Sequence, residues 1–213
     1  VKVLKTKYPQ GGERMLIEVL TGRRLNSKML PLDVGCIVDN VATVLAIRDA
    51  IKYDRPLIST VMTLTGDGLN TPCNVEVLVG TDFQFIVESR GGLKENVKKI
   101  ISGGPMMGIS LISLHIPAVK TSSSILAFTH DEVALNMPTA CIRCGRCIDA
   151  CPSHLIPQKL YQASLKNDIN TFIQLNGMEC IECGCCSYVC PAKRNMTQAI
   201  RKCKSTVTSL KRK

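Results

Sequence analysis

The sequence CIRCGRCIDACP occupies residues 141–152, and the same cysteine spacing returns in CIECGCCSYVCP at residues 180–191. Both copies follow the pattern C-x2-C-x2-C-x3-C-P, which is typical of proteins that bind two [4Fe–4S] clusters. A short loop of this kind wraps three corners of a cubane, and the fourth thiolate comes from the other copy. The spacing therefore predicts two clusters whose fourth ligands are exchanged.

The predicted ligands form two groups of four. Zinc sites usually combine two C-x2-C pairs, so zinc leaves the third cysteine and the Cys-Pro ending unexplained. Disulfides need an oxidising compartment and suit such closely spaced cysteines poorly. We assign cluster I to Cys141, Cys144, Cys147 and Cys190, and cluster II to Cys180, Cys183, Cys186 and Cys151. The other four cysteines are interpreted as buried or tolerated thiols, namely Cys36, Cys73, Cys185 and Cys203.

The composition limits the possible functions. The chain has 213 residues, of which 45% are hydrophobic and 21% charged, as expected for a globular protein with more than one domain. Aromatic residues make up only 4% and Trp is absent, which argues against nucleic-acid binding by base stacking. We find no arrangement of Ser, His and Asp, and no carboxylate pair, that would support hydrolysis. No catalytic residue is predicted.

Positive charge is concentrated at one end of the sequence. The net charge is +10, and residues 192–213 contain eight Lys and Arg but no Asp or Glu. We interpret residues 201–213 as a solvated, partly disordered basic tail that would be attracted to acidic lipid headgroups. Residues 100–119 lack charged side chains, but their glycines and prolines argue against a spanning helix, so buried strand and turn are predicted.

Residues 1–55 are predicted to be an α/β segment. A helix is expected over residues 13–21, ended by Gly22, and an apolar strand over residues 33–38. A second helix is expected from Val41 to about Tyr53, capped by Asp39 or Asn40. Its apolar face contains Val41, Val44, Leu45 and Ile51.

Residues 56–120 are predicted to be a small β-grasp domain. Strands over residues 59–65 and 73–79 are followed by a helix capped at Asp82 and a strand over residues 98–102. Residues 121–140 contain Ser122, Ser123 and Ser124 and are interpreted as a linker. A helical two-cluster domain follows over residues 141–200. The predicted fold class is therefore multidomain α+β.

The chain resembles the C subunit of the Rnf (Rsx) complex, an ion-translocating ferredoxin–NAD oxidoreductase of bacterial membranes. Besides the cysteine runs, the resemblance is carried by KTKYPQGGE at residues 5–13, LPLDVG at 30–35, NVAT at 40–43 and ISGGPMMG at 101–108. It implies that residues 1–55 are the C-terminal part of an FMN- and NADH-binding domain. It also implies that residues 56–120 are a soluble-ligand-binding β-grasp domain and residues 141–200 a ferredoxin-like domain.

The same resemblance implies flavin contacts at Gly12, Glu13, Asn40 and Thr43. Helix N-termini and their amides suit polar or anionic ligand groups. The glycine-rich flavin and NADH loop of the family has no match in this sequence. FMN and NADH are therefore expected only in a full-length protein, whereas the two [4Fe–4S] clusters are expected in this chain.

The resemblance implies an electron-relay subunit of a membrane translocase. Its expected partners are other subunits of the complex, with ferredoxin and NAD(H) acting through them, and no nucleic acid. It is expected at the cytoplasmic face of the membrane as a peripheral protein. Two alternatives stay open: a soluble paralogue that serves another reductase, and a non-redox ligand-binding module whose clusters are structural.

Overall fold

The computed structural model describes residues 1–211 of the chain. It divides into two compact units, one formed by residues 1–39 with residues 137 onward and the other by residues 40–136. These breaks differ from the predicted boundaries at residues 55, 120 and 140. The helices are α1 Glu13–Thr21, α2 Val41–Tyr53, α3 Phe83–Glu88, α4 Glu132–Leu135, α5 Arg146–Asp149, α6 Pro157–Leu165, α7 Ile169–Gln174, α8 Cys185–Tyr188 and α9 Met196–Lys211. The strands are β1 Ser59–Thr65, β2 Cys73–Leu78, β3 Lys99–Ser102, β4 Ile109–Ser110 and β5 Ser124–Phe128.

The second unit is built on one five-stranded sheet in the order β2-β1-β5-β3-β4. The strands β1 and β2 pair antiparallel, with Met62 opposite Val75, as expected for the two predicted hairpin strands. Alternate residues of β1 point into the core, and Met62 and Leu64 are buried. The helix α3, capped by the Asp82 carboxylate at 2.7 Å from the Gln84 amide, contributes Phe83 to the same core.

The linker predicted over residues 121–140 is wrong, because β5 is the central strand of the sheet. It runs parallel to β1 and antiparallel to β3. Ile125 and Ala127 are fully buried. The run of serines before the strand resembled a linker, but the apolar residues that follow fill the space between β1 and β3. The polar serine run therefore predicted a linker, because the strand that follows it is stabilised by pairing with residues distant in sequence.

The predicted strand over residues 33–38 is also wrong. Residues Pro31–Val34 form a 3-10 helix instead. Pro31 favours the first position of a helical turn, and the Asp33 carboxylate accepts a hydrogen bond of 2.8 Å from the Leu30 amide. Gly35 then ends the turn with a φ of 69°. The helix α1 follows the prediction, with Gly22 at a φ of 72° as its C-terminal cap.

The helix α2 has the predicted bounds and the predicted cap. The Asn40 side chain accepts a hydrogen bond of 2.9 Å from the Ala42 amide. No residue of α2 is buried, and its apolar side chains Val41 and Ile51 are 74% and 82% exposed. In the part of the chain that the structure describes, the apolar face of α2 therefore has no buried packing partner.

The basic tail predicted over residues 201–213 is wrong for residues 201–211, which belong to α9. This helix buries Ile200, Cys203 and Val207, which recur every three or four residues as a packed helix requires. They join Leu160 of α6 and Phe172 of α7 in the core of the first unit. Residues 212–213 lie outside the described residues. Among residues 1–211, no helix has both the length and the apolar character needed to cross a membrane.

The motif ISGGPMMG forms a tight turn between β3 and β4. Two of its three glycines, at 104 and 108, differ in the space around them. A Cβ atom added at Gly108 would lie 2.5 Å from the Gly104 carbonyl oxygen and 2.5 Å from Ile101 Cγ2, whereas one added at Gly104 would meet nothing within 4 Å. We expect Gly108→Ala to destabilise the second unit by about 1–3 kcal/mol through this overlap. The matched variant Gly104→Ala should cost about 0.5 kcal/mol or less.

Thermal unfolding followed by circular dichroism measures the difference between the two variants. The thiol-rich first unit, followed separately by its visible absorbance after iron loading, should unfold unchanged in both. Equal unfolding temperatures for Gly104→Ala and Gly108→Ala would contradict the assignment of a close approach at residue 108.

Candidate metal centres

The two cysteine loops have the same local structure. In each, a non-glycine residue with positive φ stands between the first two cysteines, Arg143 at 56° and Glu182 at 58°. A glycine with positive φ then precedes a one-turn helix, Gly145 at 79° before α5 and Gly184 at 83° before α8. The fourth cysteine follows that helix. The repeated sequence therefore produces a repeated backbone that turns three cysteines around one centre and carries the fourth away.

The first cavity is lined by all four cysteines predicted for cluster I. It has a volume of about 330 Å³. Three of these cysteines come from the first loop, and the fourth comes from the end of the second loop. They are Cys141, Cys144, Cys147 and Cys190.

A second cavity is lined by all four cysteines predicted for cluster II. It is narrower, with a volume of about 20 Å³. The cysteines are Cys180, Cys183, Cys186 and, from the first loop, Cys151.

The donor set fits a cluster better than zinc or disulfides. All twelve cysteines are free thiols, so none is used in a disulfide. One zinc ion gathers four ligands on itself, whereas a cubane spreads four thiolates over four irons. Across residues 1–211, no three His, Cys, Asp or Glu side chains lie close enough to hold a single ion. Four cysteines line each of two cavities, three from one loop and one from the other, and this donor set fits a [4Fe–4S] cluster at each.

Hydrogen bonds to sulfur are found at three of the four cysteines around the second cavity. The Leu155 amide donates to Cys151 Sγ at 3.4 Å, and the Glu182 amide donates to Cys180 Sγ at 3.4 Å. Cys186 Sγ lies 3.6 Å from the Thr197 hydroxyl. Such contacts stabilise negative charge on sulfur and help to set the reduction potential of a cluster.

Burial makes the thiols of the second cavity weak acids. It raises the pKa of Cys180 to about 11 and the pKa of Cys183 to about 11. The neighbouring Cys151 thiol adds to the rise in pKa at both positions, which places it among the cysteines of the other loop. Because iron binds the thiolate form, loading of this site must displace protons.

The two cavities differ in exposure. Cys144, at the first cavity, is exposed, as are its neighbours Ile142 and Arg143. At the second cavity, Cys183 and Cys186 are buried. The first site is therefore accessible to a partner, whereas the second is enclosed.

The N-terminal segment covers the loop of the second site. The Tyr8 hydroxyl donates a hydrogen bond of 2.6 Å to the carbonyl oxygen of Cys183. Arg14 forms an ion pair of 3.3 Å with Glu179, and the Ser27 hydroxyl donates to the same carboxylate at 2.5 Å. Residues 1–39 are thus attached directly to one of the two metal sites.

The basic side chains of α9 hold the same loop from another element. Arg201 and Lys204 form ion pairs with Glu182 at 2.7 Å and 3.0 Å. The Lys204 amino group also donates to the carbonyl oxygen of Cys180 at 2.5 Å. This role was not predicted, because the two charges were interpreted as part of a tail. Residues three apart are neighbours on the surface of a helix. The spacing of Arg201 and Lys204, beside Ile200, could therefore have predicted that they act together.

The four residues predicted to contact flavin are divided between the two units. Gly12 and Glu13 lie at the N-terminus of α1 in the first unit. Asn40 and Thr43 lie at the N-terminus of α2 in the second unit, where they line a cavity of about 820 Å³. Contact of these residues with FMN stays a prediction.

The remaining thiols behave as expected for non-ligands. Cys203 is buried in the core of the first unit, and Cys36 and Cys73 are half-buried. Cys185 is half-buried next to Cys186, a predicted ligand, and is not among the residues that line either cavity.

Comparison with protein families gives three matches along the chain. Residues 1–49 match the Nuo51 FMN-binding domain, residues 61–110 match the SLBB domain, and residues 134–191 match the 4Fe-4S dicluster domain. The last range contains both cysteine loops. The match over residues 1–49 agrees with the predicted flavin-domain segment.

Three curated relatives are C subunits of ion-translocating oxidoreductase complexes. The chain is 51% identical over 157 residues to the C subunit of a proton-translocating ferredoxin:NAD⁺ oxidoreductase complex of Clostridium ljungdahlii, covering 74% of this chain and 34% of that protein. It is 40% identical over 210 residues to the C subunit of the Na⁺-translocating complex of Acetobacterium woodii, covering 99% and 47%. The C subunit of an ion-translocating oxidoreductase complex of Yersinia enterocolitica is 44% identical over 162 residues, covering 76% and 23%. The chain thus matches less than half the length of these relatives.

The lining of the two cavities predicts the effect of removing each exchanged cysteine. Cys151→Ser should damage the cluster held by Cys180, Cys183 and Cys186 and leave the other intact, and Cys190→Ser should do the reverse. Iron content should fall from about eight towards about four atoms per chain in each variant. EPR of the reduced proteins identifies which signal is lost.

Three further variants serve as references for this experiment. Cys144→Ser and Cys183→Ser assign each EPR signal to its loop, and Cys185→Ala should spare both signals. If Cys151→Ser and Cys144→Ser abolish the same signal while Cys183→Ser abolishes the other, each loop binds its own cluster and the exchange is disproved.

Proposed function

Because this chain belongs to the same family as the C subunits of ion-translocating ferredoxin:NAD⁺ oxidoreductase complexes, we propose that it is an electron-transfer subunit of such a complex. It relays electrons between a flavin and nicotinamide site and the redox centres of partner subunits. The observation that carries the proposal is the pair of neighbouring four-cysteine sites, one exposed and one enclosed.

The two sites border one apolar core, because Cys186 is buried in it and Cys147, Cys151, Cys180 and Cys190 pack against it. We infer that they are close enough to act in series. Burial chiefly raises the pKa of Cys147, and the Cys186 thiol of the other site adds to that rise. A [4Fe–4S] cluster, when bound, takes up or releases one electron. The residues of the chain keep the ligands in place, exclude water from the inner site and donate hydrogen bonds to its sulfurs.

Attachment of the N-terminal segment supports an order for the relay. The loop of Cys180 and Cys183 is bound by Tyr8 and, through Glu179, by Arg14 and Ser27. The same segment carries Gly12 and Glu13. We therefore assign cluster II to the flavin side of the relay and cluster I to the side of the partner.

The names of the relatives suggest which other reactants take part. We propose that FMN and NADH bind in a protein of the length of the relatives, and that ferredoxin and NAD(H) react through the complex. We further propose a peripheral position at the cytoplasmic face of the membrane, where thiols stay reduced. High-salt washing should then release the protein, and co-purification with membrane subunits separates this role from that of a soluble paralogue.

A reductive titration tests the relay. The purified protein, loaded with iron and sulfide, should contain about eight iron atoms per chain, and both clusters should be reduced and reoxidised without loss of iron. Potentiometric titration followed by EPR gives the two midpoint potentials. Clusters that cannot be reduced before they disassemble would instead support the non-redox module with structural clusters.

The flavin proposal is tested at Asn40, in a version of the chain extended to the length of its relatives. Asn40→Ala should lower the FMN content but also removes the helix cap, at a cost of about 1 kcal/mol. Asn40→Asp retains the cap and places a negative charge at the proposed contact with the anionic FMN, so it should lower FMN affinity about tenfold or more without lowering the unfolding temperature. Full FMN occupancy in Asn40→Asp would contradict a contact at this residue.

A further inference from the structure

The two equivalent loops carry opposite charge at matching positions. Arg143 stands between the first two cysteines of the first loop, and Glu182 occupies the same place in the second loop. Three positions further on, Arg146 corresponds to Cys185. Since the backbones match, these differences are confined to the side chains that surround each site.

The two loops also differ in whether their charged side chains form ion pairs within the protein. Glu182 is held by Arg201 and Lys204. Arg143 and Arg146 are exposed, and neither takes part in any ion pair found among residues 1–211. The first loop therefore presents free positive charge to solvent, whereas the charge of the second loop is satisfied within the protein.

Arg143 lines the first cavity, and Arg146 follows it as the first residue of α5 in the same loop. A third arginine lies outside this loop. Arg194 lines the same cavity, stacks on the Tyr161 ring at 4.7 Å from the ring centroid and donates to the Thr139 carbonyl oxygen at 3.3 Å. These contacts fix the guanidinium next to Cys190. We call Arg143, Arg146 and Arg194 the basic rim of the first site.

We propose that the basic rim is the docking surface for an acidic redox protein or subunit, whose carboxylates surround its own redox centre. This inference rests on the proposed relay function and names the partner chemistry of its exposed end. A protein that exchanges electrons with the first site must approach the cavity of Cys144. The side chains of the basic rim beside that cavity are positively charged. Asp149, on the outer end of α5, is the acidic residue of this loop and leaves the rim with net positive charge.

The chemistry of the surface favours a redox protein over other anions. The exposed apolar side chains Ile142 and Ile148 adjoin the arginines, so the surface combines a charged rim with an apolar patch, as protein interfaces do. The patch surrounds the thiolate-lined cavity. Complementary charge would steer a partner to that position and raise the association rate by about 10-fold to 1,000-fold at low salt.

The transfer itself needs no other reactant. Cys141, Cys144, Cys147 and Cys190 would hold the centre that gives up one electron, and the one-electron centre of the partner would accept it. No covalent bond forms or breaks, and no proton is required when the partner holds a metal centre. The rim acts on encounter and orientation.

The test uses two protein probes of opposite charge. Oxidised rubredoxin is a small acidic one-electron acceptor, and cytochrome c is a basic one. Stopped-flow mixing with the dithionite-reduced, cluster-loaded protein gives the rate of transfer to each at low and high NaCl. Biolayer interferometry with immobilised rubredoxin measures binding independently of electron transfer.

The variant R143E/R146E reverses the charge at two of the three positions of the basic rim. Glu fits position 143 because Glu182 has the same backbone geometry in the other loop. The matched control K166E/K202E makes the same change of charge at two exposed positions, at the end of α6 and on α9. Both variants must retain the EPR signals of both clusters.

We expect R143E/R146E to slow rubredoxin reduction and weaken its binding about tenfold or more at low salt, and to accelerate cytochrome c reduction. K166E/K202E should change each value less than about twofold, and high salt should remove the differences between proteins because it screens exposed charge.

Equal effects of R143E/R146E and K166E/K202E, or rates independent of salt, would overturn the docking surface while leaving the relay intact. So would binding to phosphatidylserine vesicles that is lost in R143E/R146E while rubredoxin kinetics and affinity are unchanged, because the rim would then serve a lipid surface. If the reduced protein transfers electrons to neither probe, the relay function fails and this inference fails with it.

Discussion

The exchange of one cysteine between two loops is the constraint on which the first unit depends. Cys151 leaves its own loop and joins the cavity of the second, and Cys190 does the reverse. Each loop is therefore incomplete alone, so the residues between them must form a compact connection. The helices α6 and α7 do this by packing Leu160 and Phe172 against α9. Metal binding and folding are thus coupled, because each site closes only when both loops are in place.

The two equivalent loops differ in the residues that surround them. The backbones of the two loops match, yet one site is covered by Tyr8 and by the charges of α9 while the other is open. Part of the positive charge of the sequence serves to hold the inner loop, and part remains free beside the outer site. The difference gives two chemically similar sites different access to solvent, which is the basis of the proposed order of the relay.

The second unit shows where local patterns were sufficient. The alternation of apolar residues in β1 and β2, and the Asp82 cap of α3, predicted these elements because their partners lie close in sequence. The strand β5 was missed because it pairs in parallel with β1, about sixty residues away in sequence, and a polar serine run precedes it. The 3-10 turn over Pro31–Val34 was missed because an apolar run was given more weight than its proline and its capping aspartate.

The sequence by itself determined the chemistry of the metal sites. Ligand type and spacing are local properties, so the eight cysteines, their division into two groups and the one-turn helices followed from the repeat. Only the tertiary structure decided which site is enclosed, because Tyr8 and Arg14 come from a segment with no local mark of that role. The helical spacing of Arg201 and Lys204 likewise does not identify the loop that they hold. The tertiary structure also decided that residues 201–211 form a packed helix, since burial of Cys203 and Val207 depends on the surface that α6 and α7 present.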